Sequence, residues 1–400
     1  MKILVLNAGS SSQKSCIYDI SPHDIPAHST APLWFATIDW TVNDDYGLLK
    51  VEANQEKVEI TIPKNQRPSA ISMMLATITT GKTKVLDNLT EITRVGHRVV
   101  HGGAEYSEAC VITPEVKNTI EKLIPLAPNH NPAHLEGINA ISEILPDTIQ
   151  IAVFDTAFHQ TIPPEAKIYP LPYKFYEQGI QRYGFHGISH QYVAECASQI
   201  INKPLSELNL ITCHLGNGCS VTAIKNGQSI NTSMGFTPLE GVMMGARCGS
   251  IDPAILIHLI TEYNYSAPQL NHILNKESGL LGVSGISADL RHIISALDDN
   301  PQAQLAFNIY IHRLQSVIAS MLPCLGGLGA LVFTAGVGEN SALVREKVCA
   351  GLSYVGLKLD LDKNATKCIN TNIAQSDSSC EILVIHTEED WAIALQCLKT

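Results

Sequence analysis

Two stretches about 200 residues apart share one outline. Residues 2–20, KILVLNAGSSSQKSCIYDI, and residues 208–227, LNLITCHLGNGCSVTAIKNG, each run from an apolar strand through a small polar turn into a second strand. Apolar β-branched runs around small residues read as β-hairpins. A hairpin turn needs only about two to five residues, and Asn or Asp with Gly suffices. The first turn carries more than that: Asn7, Gly9, Ser10, Ser11, Ser12 and Lys14. Backbone N–H groups, hydroxyls and a cation suit an anion, and phosphate fits best. The second turn holds Asn217, Gly218 and Ser220. One such hairpin is as readily a solvated polar turn. Two of the same design point to a duplicated domain, each turn taking a different part of one phosphate chain.

A chain of 400 residues has room for two or three domains. Hydrophobic residues at 45% and charged residues at 16% are those of an ordinary globular protein. A net charge of −11 argues against nucleic acid or an anionic membrane as partner. An anionic ligand must therefore meet a local cluster of cations. The apolar stretch after Lys2 is too short for a secretory signal, so the cytoplasm is the expected compartment. Residues 317–335 form the longest apolar segment, but they contain Pro323, Gly326, Gly327 and Gly329. That segment reads as a helix end, a loop and a buried strand over 330–334 rather than a membrane span. The eleven cysteines show no C-x-x-C pair and are expected to be reduced and mostly buried.

Further strand-like runs occur at TRVGHRVVHGG, IQIAVFD, GALVFTAG and CEILVIHT. Helical patterns lie between them, over 131–145 with Pro132 early, from about 189, over 302–322, and over 341–350 with Gly351 as C-cap. Strands alternating with helices give an α/β class. Gly81-Lys82-Thr83 imitates a P-loop, but Ala76 stands where that pattern needs glycine, and SMMLATITT before it reads as a helix. Gly336-Val337-Gly338 opens a helix after a strand, but Ser341 occupies the third glycine position of a dinucleotide fingerprint. What remains is a generic phosphate or nucleotide turn. The pairs His97/His101, His130/His134 and His186/His190 lack the glutamate of H-E-x-x-H, and most of the fifteen histidines should be structural.

Several charges sit where a core would not place them. Arg98 interrupts TRVGHRVVHGG, Arg247 lies within EGVMMGARCGS, and Asp155 ends IQIAVFD. Carboxylates just beyond a parallel strand often meet ligand or metal. Each alone is as well explained by a loop charge or a structural ion pair. Together they suggest arginines, lysine and histidine for anions, carboxylates for Mg²⁺, and glycine turns for backbone contacts.

At this point the chain resembles the acetokinase (acetate kinase) family over essentially its whole length. The motifs NAGSSSQK, GHRVVHGG, LAPNHNP, VFDTAFH, RYGFHGISH, HLGNGCS, TSMGFTPLEGVMMGARCG, SGISADLR and FTAGVGEN look like that family's motifs, in the family's order. The resemblance implies two duplicated actin-like (ribonuclease H-like) domains with mixed sheets flanked by helices, and nucleotide in an interdomain cleft. Residues 1–155 with 386–400 would form the acyl and phosphate side, and 156–385 the nucleotide side. The implied reaction is reversible phosphoryl transfer from ATP to acetate, giving acetyl phosphate and ADP, with Mg²⁺ or Mn²⁺ and a homodimeric assembly. A carboxylate nucleophile is already ionised near neutral pH, so no strong general base is needed. The difficulty is charge, since like charges 4 Å apart repel by ~4 kcal/mol at an effective dielectric of about 20. Catalysis should then rest on positioning and charge neutralisation of an in-line transfer.

By analogy with the family, Arg98 and Arg247 would hold the acetate carboxylate and the moving phosphoryl group. His186 would donate to the phosphoryl oxygens. Asp155 would orient these groups and help place the metal, with Asn7 and Glu389 as metal-site residues. Glu388 or Asp390 stands as the alternative to Glu389, because HTEEDWAIA departs from the family's Asn-Glu-Glu wording. Lys14, Ser10 and Ser12 would line the first phosphate turn. His214, Leu215, Gly216, Asn217 and Gly218, with Gly336, Val337, Gly338, Glu339 and Asn340, would form the nucleotide-phosphate turns. Asp289, Leu290 and Arg291 would form the adenosine pocket, and His130 resembles a further active-site histidine. The acyl pocket would comprise Val100, Asn129, Phe185 and Pro238, with Asn129 in place of a leucine. Ser250 replaces an aspartate. Val100 favours acetate, and propionate kinase is the alternative within the family. A nucleotide-gripping module without transfer, or a dinucleotide oxidoreductase built on GVGENS, are the readings from other classes.

Overall fold

The first apolar run folds as β1 (Lys2–Ala8) and pairs antiparallel with β2 (Ser12–Asp19), Lys2 opposite Asp19 and Ala8 opposite Gln13. The computed structural model describes residues 1–9, 12–26, 28–128, 130–366 and 369–400, so Ser10 and Asn129 lie outside the described residues. It divides into two units, Met1–Ala157 with Glu388–Thr400, and Phe158–Thr387.

In the first unit β3 (Trp34–Asp39), β4 (Tyr46–Ala53) and β5 (Glu56–Pro63) continue the meander, while β6 (Ile92–Val99), β7 (Cys110–Val111) and β8 (Ile149–Phe154) complete the sheet. The strand order is β5-β4-β3-β2-β1-β6-β8-β7, with β1, β6 and β8 parallel. Ile3, Leu4, Val5 and Leu6 are all buried, because a central strand is covered on both faces. Leu4, Leu6, Trp34 and Val51 meet Ile71, Met74 and Ile78 of the helix Ala70–Thr79 in one core cluster. The helix Glu389–Lys399 packs on β1 and β6. A Cβ at Gly96 would fall 2.6 Å from Cys397 Sγ and 2.7 Å from Ile393 Cγ2, so glycine lets this helix approach the strand.

The second unit repeats the plan. β9 (Asn209–Leu215) and β10 (Cys219–Lys225) form the second hairpin, followed by β11 (Gln228–Thr232), β12 (Ala330–Thr334), β13 (Thr371–Asn372) and β14 (Glu381–Val384). The order β11-β10-β9-β12-β14 reproduces β3-β2-β1-β6-β8 with the same antiparallel and parallel senses. The duplication expected from the hairpins is therefore present, in the actin-like α/β architecture that the family resemblance implies.

Two local expectations are corrected. Pro323 does not end its helix, which runs Pro301–Leu325 and stops at Gly326 in the left-handed region (φ 73°). The proline costs the one bond that its N–H would have made to Ala319 O, and buried Leu314, Ile318, Met321 and Leu325 hold the last turns. Gly351 is the final residue of the helix Ala342–Gly351 rather than its cap. Among the described residues no helix is long and apolar enough to cross a membrane. The helix Pro253–Tyr263 has no buried residue, and Ile257 and Tyr263 are both 64% exposed.

Candidate active site

Parallel strands β6 and β8 carry Arg98 and Asp155 to the same end of the first sheet. Arg98 is the penultimate residue of β6, and Asp155 follows β8, its N–H donating to Val99 O at 2.9 Å. Arg98 Nη2 donates to Asp155 Oδ2 at 2.6 Å and Nε to Oδ1 at 3.1 Å, a two-pronged grip. Arg98 Nη1 donates to Asn7 Oδ1 at 3.3 Å, and Asn7 Nδ2 donates to Asp390 Oδ1 at 2.7 Å. Asp155, Arg98, Asn7 and Asp390 thus form one line, joining β8, β6, β1 and the first turn of the helix Glu389–Lys399.

Burial alone would lower the Arg98 pKa, but Asp155, Glu389 and Asp390 together hold it above its ordinary value. Burial raises the Asp155 carboxyl above the usual range while Arg98 opposes the rise. Burial likewise raises Asp390, against the Asn7 hydrogen bond and the Lys14 charge. Three carboxylates against Arg98 and Lys14 leave an acid excess, which suits a hard cation with oxygen ligands. Among the described residues no group of three or more His, Cys, Asp and Glu side chains is arranged to hold a metal by itself. Lys14 faces Asn7 across the hairpin, and Gly9 N–H donates to Ser12 O at 2.7 Å to close the turn.

Val100 is buried, and its N–H donates to His134 Nδ1 at 3.4 Å. His134 must then carry its proton on Nε2, which donates to Ala8 O at 3.1 Å and ties the hairpin end to β6. Burial pushes the His134 pKa down to about 3, so the ring stays neutral.

In the second unit His186 precedes the helix Gly187–Ile201 in the left-handed region (φ 58°). Its ring stacks on His214 at 4.1 Å, and its Nδ1 lies 2.8 Å from Ser220 Oγ. A Cβ on Gly218 would lie 3.5 Å from His186 Nε2 and 3.6 Å from Arg247 Nη1, so both groups face the space over that glycine. Arg247 Nη1 donates to Pro238 O at 3.0 Å. Its loop is fixed by Gly279, whose Cβ would fall 2.2 Å from Met244 O and whose φ is +64°. Ser250 Oγ accepts from Gly241 N at 3.0 Å, the local role of the residue that replaces aspartate. Phe185 is buried, and its carbonyl accepts from His159 Nε2 at 3.0 Å.

A pocket of about 970 Å³ opens beside this group. Of the nucleotide-side residues singled out from sequence, Gly216, Asn217, Asp289, Leu290, Arg291, Gly336, Val337 and Asn340 line it, whereas His214, Leu215, Gly218, Gly338 and Glu339 do not. Asp289 caps its own helix through Arg291 N–H at 2.9 Å. Glu339 is taken up internally, its carboxylate accepting from Ala335 N at 2.8 Å and Thr387 N at 3.2 Å and contacting His386 Nδ1 at 2.6 Å.

Sequence reading missed three supports. Buried Arg345 donates to Gly338 O at 2.9 Å, Glu339 O at 2.8 Å and Asn364 Oδ1 at 2.7 Å, clamping the glycine turn. Arg182 donates to Thr232 O and Met234 O and pairs with Glu240 at 2.7 Å, bracing the segment that leads to Pro238. Ser220 and His190 stand behind His186, with His190 Nε2 at 2.7 Å from Ser220 Oγ. Arg345 and Arg182 look in sequence like ordinary core or loop residues, whereas Ser220 was read only as part of the second turn and His190 only as a structural histidine.

Two sheets of one topology, an arginine–carboxylate line in one unit and glycine turns around a large pocket in the other, define a duplicated actin-like protein equipped for polyanions. The chain belongs to the acetokinase family, whose model matches residues 2–395. The acetate kinase of Rippkaea orientalis is 61% identical over 398 residues, spanning 99% of this chain and 98% of that protein. The crystal structure of Porphyromonas gingivalis acetate kinase superposes with a TM-score of 0.90 at 38% identity, covering 100% of this chain and 99% of that one. A propionate kinase from Francisella tularensis gives the same TM-score, identity and coverage.

Proposed function

We propose that this chain is an acetate kinase, transferring the γ-phosphoryl group of ATP to acetate to give acetyl phosphate and ADP, reversibly. The observation that carries this is 61% identity to an acetate kinase over nearly the whole of both chains. The propionate kinase is a family relative at 38% identity.

An acetate oxygen attacks the γ-phosphorus as the bond to the β–γ bridging oxygen breaks, and ADP departs with that oxygen's charge. The nucleophile is ionised, so Asp155 serves as an anchor for Arg98 rather than as a base. Arg98 has five N–H donors and uses three on Asp155 and Asn7, which leaves part of its fork for an anion. Arg247 and the Nε2 edge of His186 face one point over Gly218 and would stabilise charge on the transferring oxygens. Asn7, Glu389 and Asp390, with Asp155 behind them, would hold Mg²⁺. Bound there, the ion would neutralise charge on the β- and γ-phosphates. The 970 Å³ pocket with Asn217, Asp289, Arg291 and Gly336 would take the nucleotide.

The cytoplasm suits this reading, since every described cysteine is a free thiol. A homodimer is supported by the Pro253–Tyr263 helix, whose Ile255, Ile257 and Ile260 are 46%, 64% and 47% exposed within the chain. ATP-dependent acyl phosphate formation, trapped as the hydroxamate, tests the function. Higher kcat/KM on acetate than on propionate supports it, a preference for propionate moves the chain to that sibling activity, and no product from either acid overturns it.

A further inference from the structure

We propose that Thr212, His190 and Ser220 form a directed hydrogen-bond relay that fixes the His186 imidazole with its proton on Nε2. The inference rests on the reading above, in which that edge of His186 donates to the phosphoryl group. It adds three positioning residues on β9, β10 and the helix Gly187–Ile201.

The direction follows from counting donors. Thr212, His190 and Ser220 are all fully buried. The Thr212 hydroxyl has one hydrogen-bond partner among the described residues, His190 Nδ1 at 2.7 Å. A buried hydroxyl proton needs an acceptor, so Thr212 donates and His190 Nδ1 accepts. Burial holds the His190 pKa well below its ordinary value, so the ring carries one proton, and that proton sits on Nε2. His190 Nε2–H then donates to Ser220 Oγ at 2.7 Å. The Ser220 proton is directed to its remaining partner, His186 Nδ1, at 2.8 Å. With Nδ1 accepting, the neutral His186 ring holds its proton on Nε2, the edge that faces the space over Gly218 beside Arg247. The reverse polarisation would leave the Thr212 proton without an acceptor. His214 stacks on the His186 face at 4.1 Å and sets the plane of the ring. The relay sets which nitrogen is the donor, a separate requirement for catalysis.

Ring ¹⁵N NMR of the full-length protein reads the tautomer directly. The wild type should show His186 protonated on Nε2 alone. Ser220→Ala and Thr212→Val should give mixed tautomers at His186, with kcat lowered about 10- to 100-fold and KM for acetate and ATP within twofold. Ser220→Thr, which keeps the hydroxyl, should restore both. A wild-type ring protonated on Nδ1, or a tautomer unmoved by Ser220→Ala and Thr212→Val, would overturn the relay, and the wild-type spectrum alone suffices if a variant does not fold. His186→Gln separates this from the catalytic reading: if kcat is unchanged by it, the phosphoryl-donor role falls while the spectra still judge the relay.

Discussion

Arg98 and Arg247 carry the same charge but differ in how they are held. Arg98 grips a buried carboxylate, whereas the polar hold on Arg247 is chiefly one carbonyl, Pro238 O. Removing one member of a buried ion pair typically costs about 3–5 kcal/mol because the other is left uncompensated. Asp155→Ala should therefore lower both the urea midpoint and kcat. Arg247→Ala should leave the midpoint within about 1 kcal/mol while cutting kcat/KM for acetate by about 100-fold or more. Equal stability losses in the two variants would contradict this contrast. Arg98 and Asp155 were legible because a charge inside or just after an apolar run stands out. Which acid of HTEEDWAIA meets Asn7 was not, because that depends on the phase of the last helix. Asp390 makes that hydrogen bond, while Glu389 acts on Arg98 by charge. The relay behind His186 was also hidden, since Ser220 reads as a turn residue and Thr212 as a strand residue, and nothing local shows that both meet His190.

At the scale of elements, the glycine turn at 336–338 depends on a residue from the next helix. Arg345→Met should remove the donors that satisfy Gly338 O, Glu339 O and Asn364 Oδ1, destabilising the protein by about 2–4 kcal/mol and raising KM for ATP more than KM for acetate. Thermal unfolding and initial rates at fixed acetate check both parts. The parallel strands β1, β6, β8, β9, β12 and β14 were readable as apolar runs, as expected where both faces are covered. The meander β3 to β5 was missed because Lys50, Glu52, Lys57 and Glu59 occupy its outward positions, so its strands alternate and lack the unbroken apolar runs by which the parallel strands were read. The helix through Pro323 was missed for a different reason. Proline stops a helix by local rules, but a buried face extending to Leu325 outweighs one lost hydrogen bond.

For the molecule as a whole, buried histidines set the response to acid. Burial depresses His97, His101 and His159 to about 4 and His134 to about 3, and holds His190 well below its ordinary value. The unfolded rings titrate near ~6.5. Between those values the unfolded chain binds more protons, so stability is full above about pH 6.5 and falls as pH drops toward 4. Each ring can contribute up to about 3 kcal/mol of that fall. Asp155 and Asp390, raised by burial, act in the opposite sense, but they are two against five. The urea midpoint should therefore drop steeply from pH 7 to pH 5, and a flat profile would mean that these rings are charged in the fold. The first unit also draws its last helix, Glu389–Lys399, from beyond the whole of the second. During synthesis β1 and β6 must wait on the ribosome with one face uncovered until that helix emerges, so the half of the protein made first is the half finished last. A nascent chain stalled before Glu388 should bind a chaperone through this waiting sheet, and release of the final residues should end that binding.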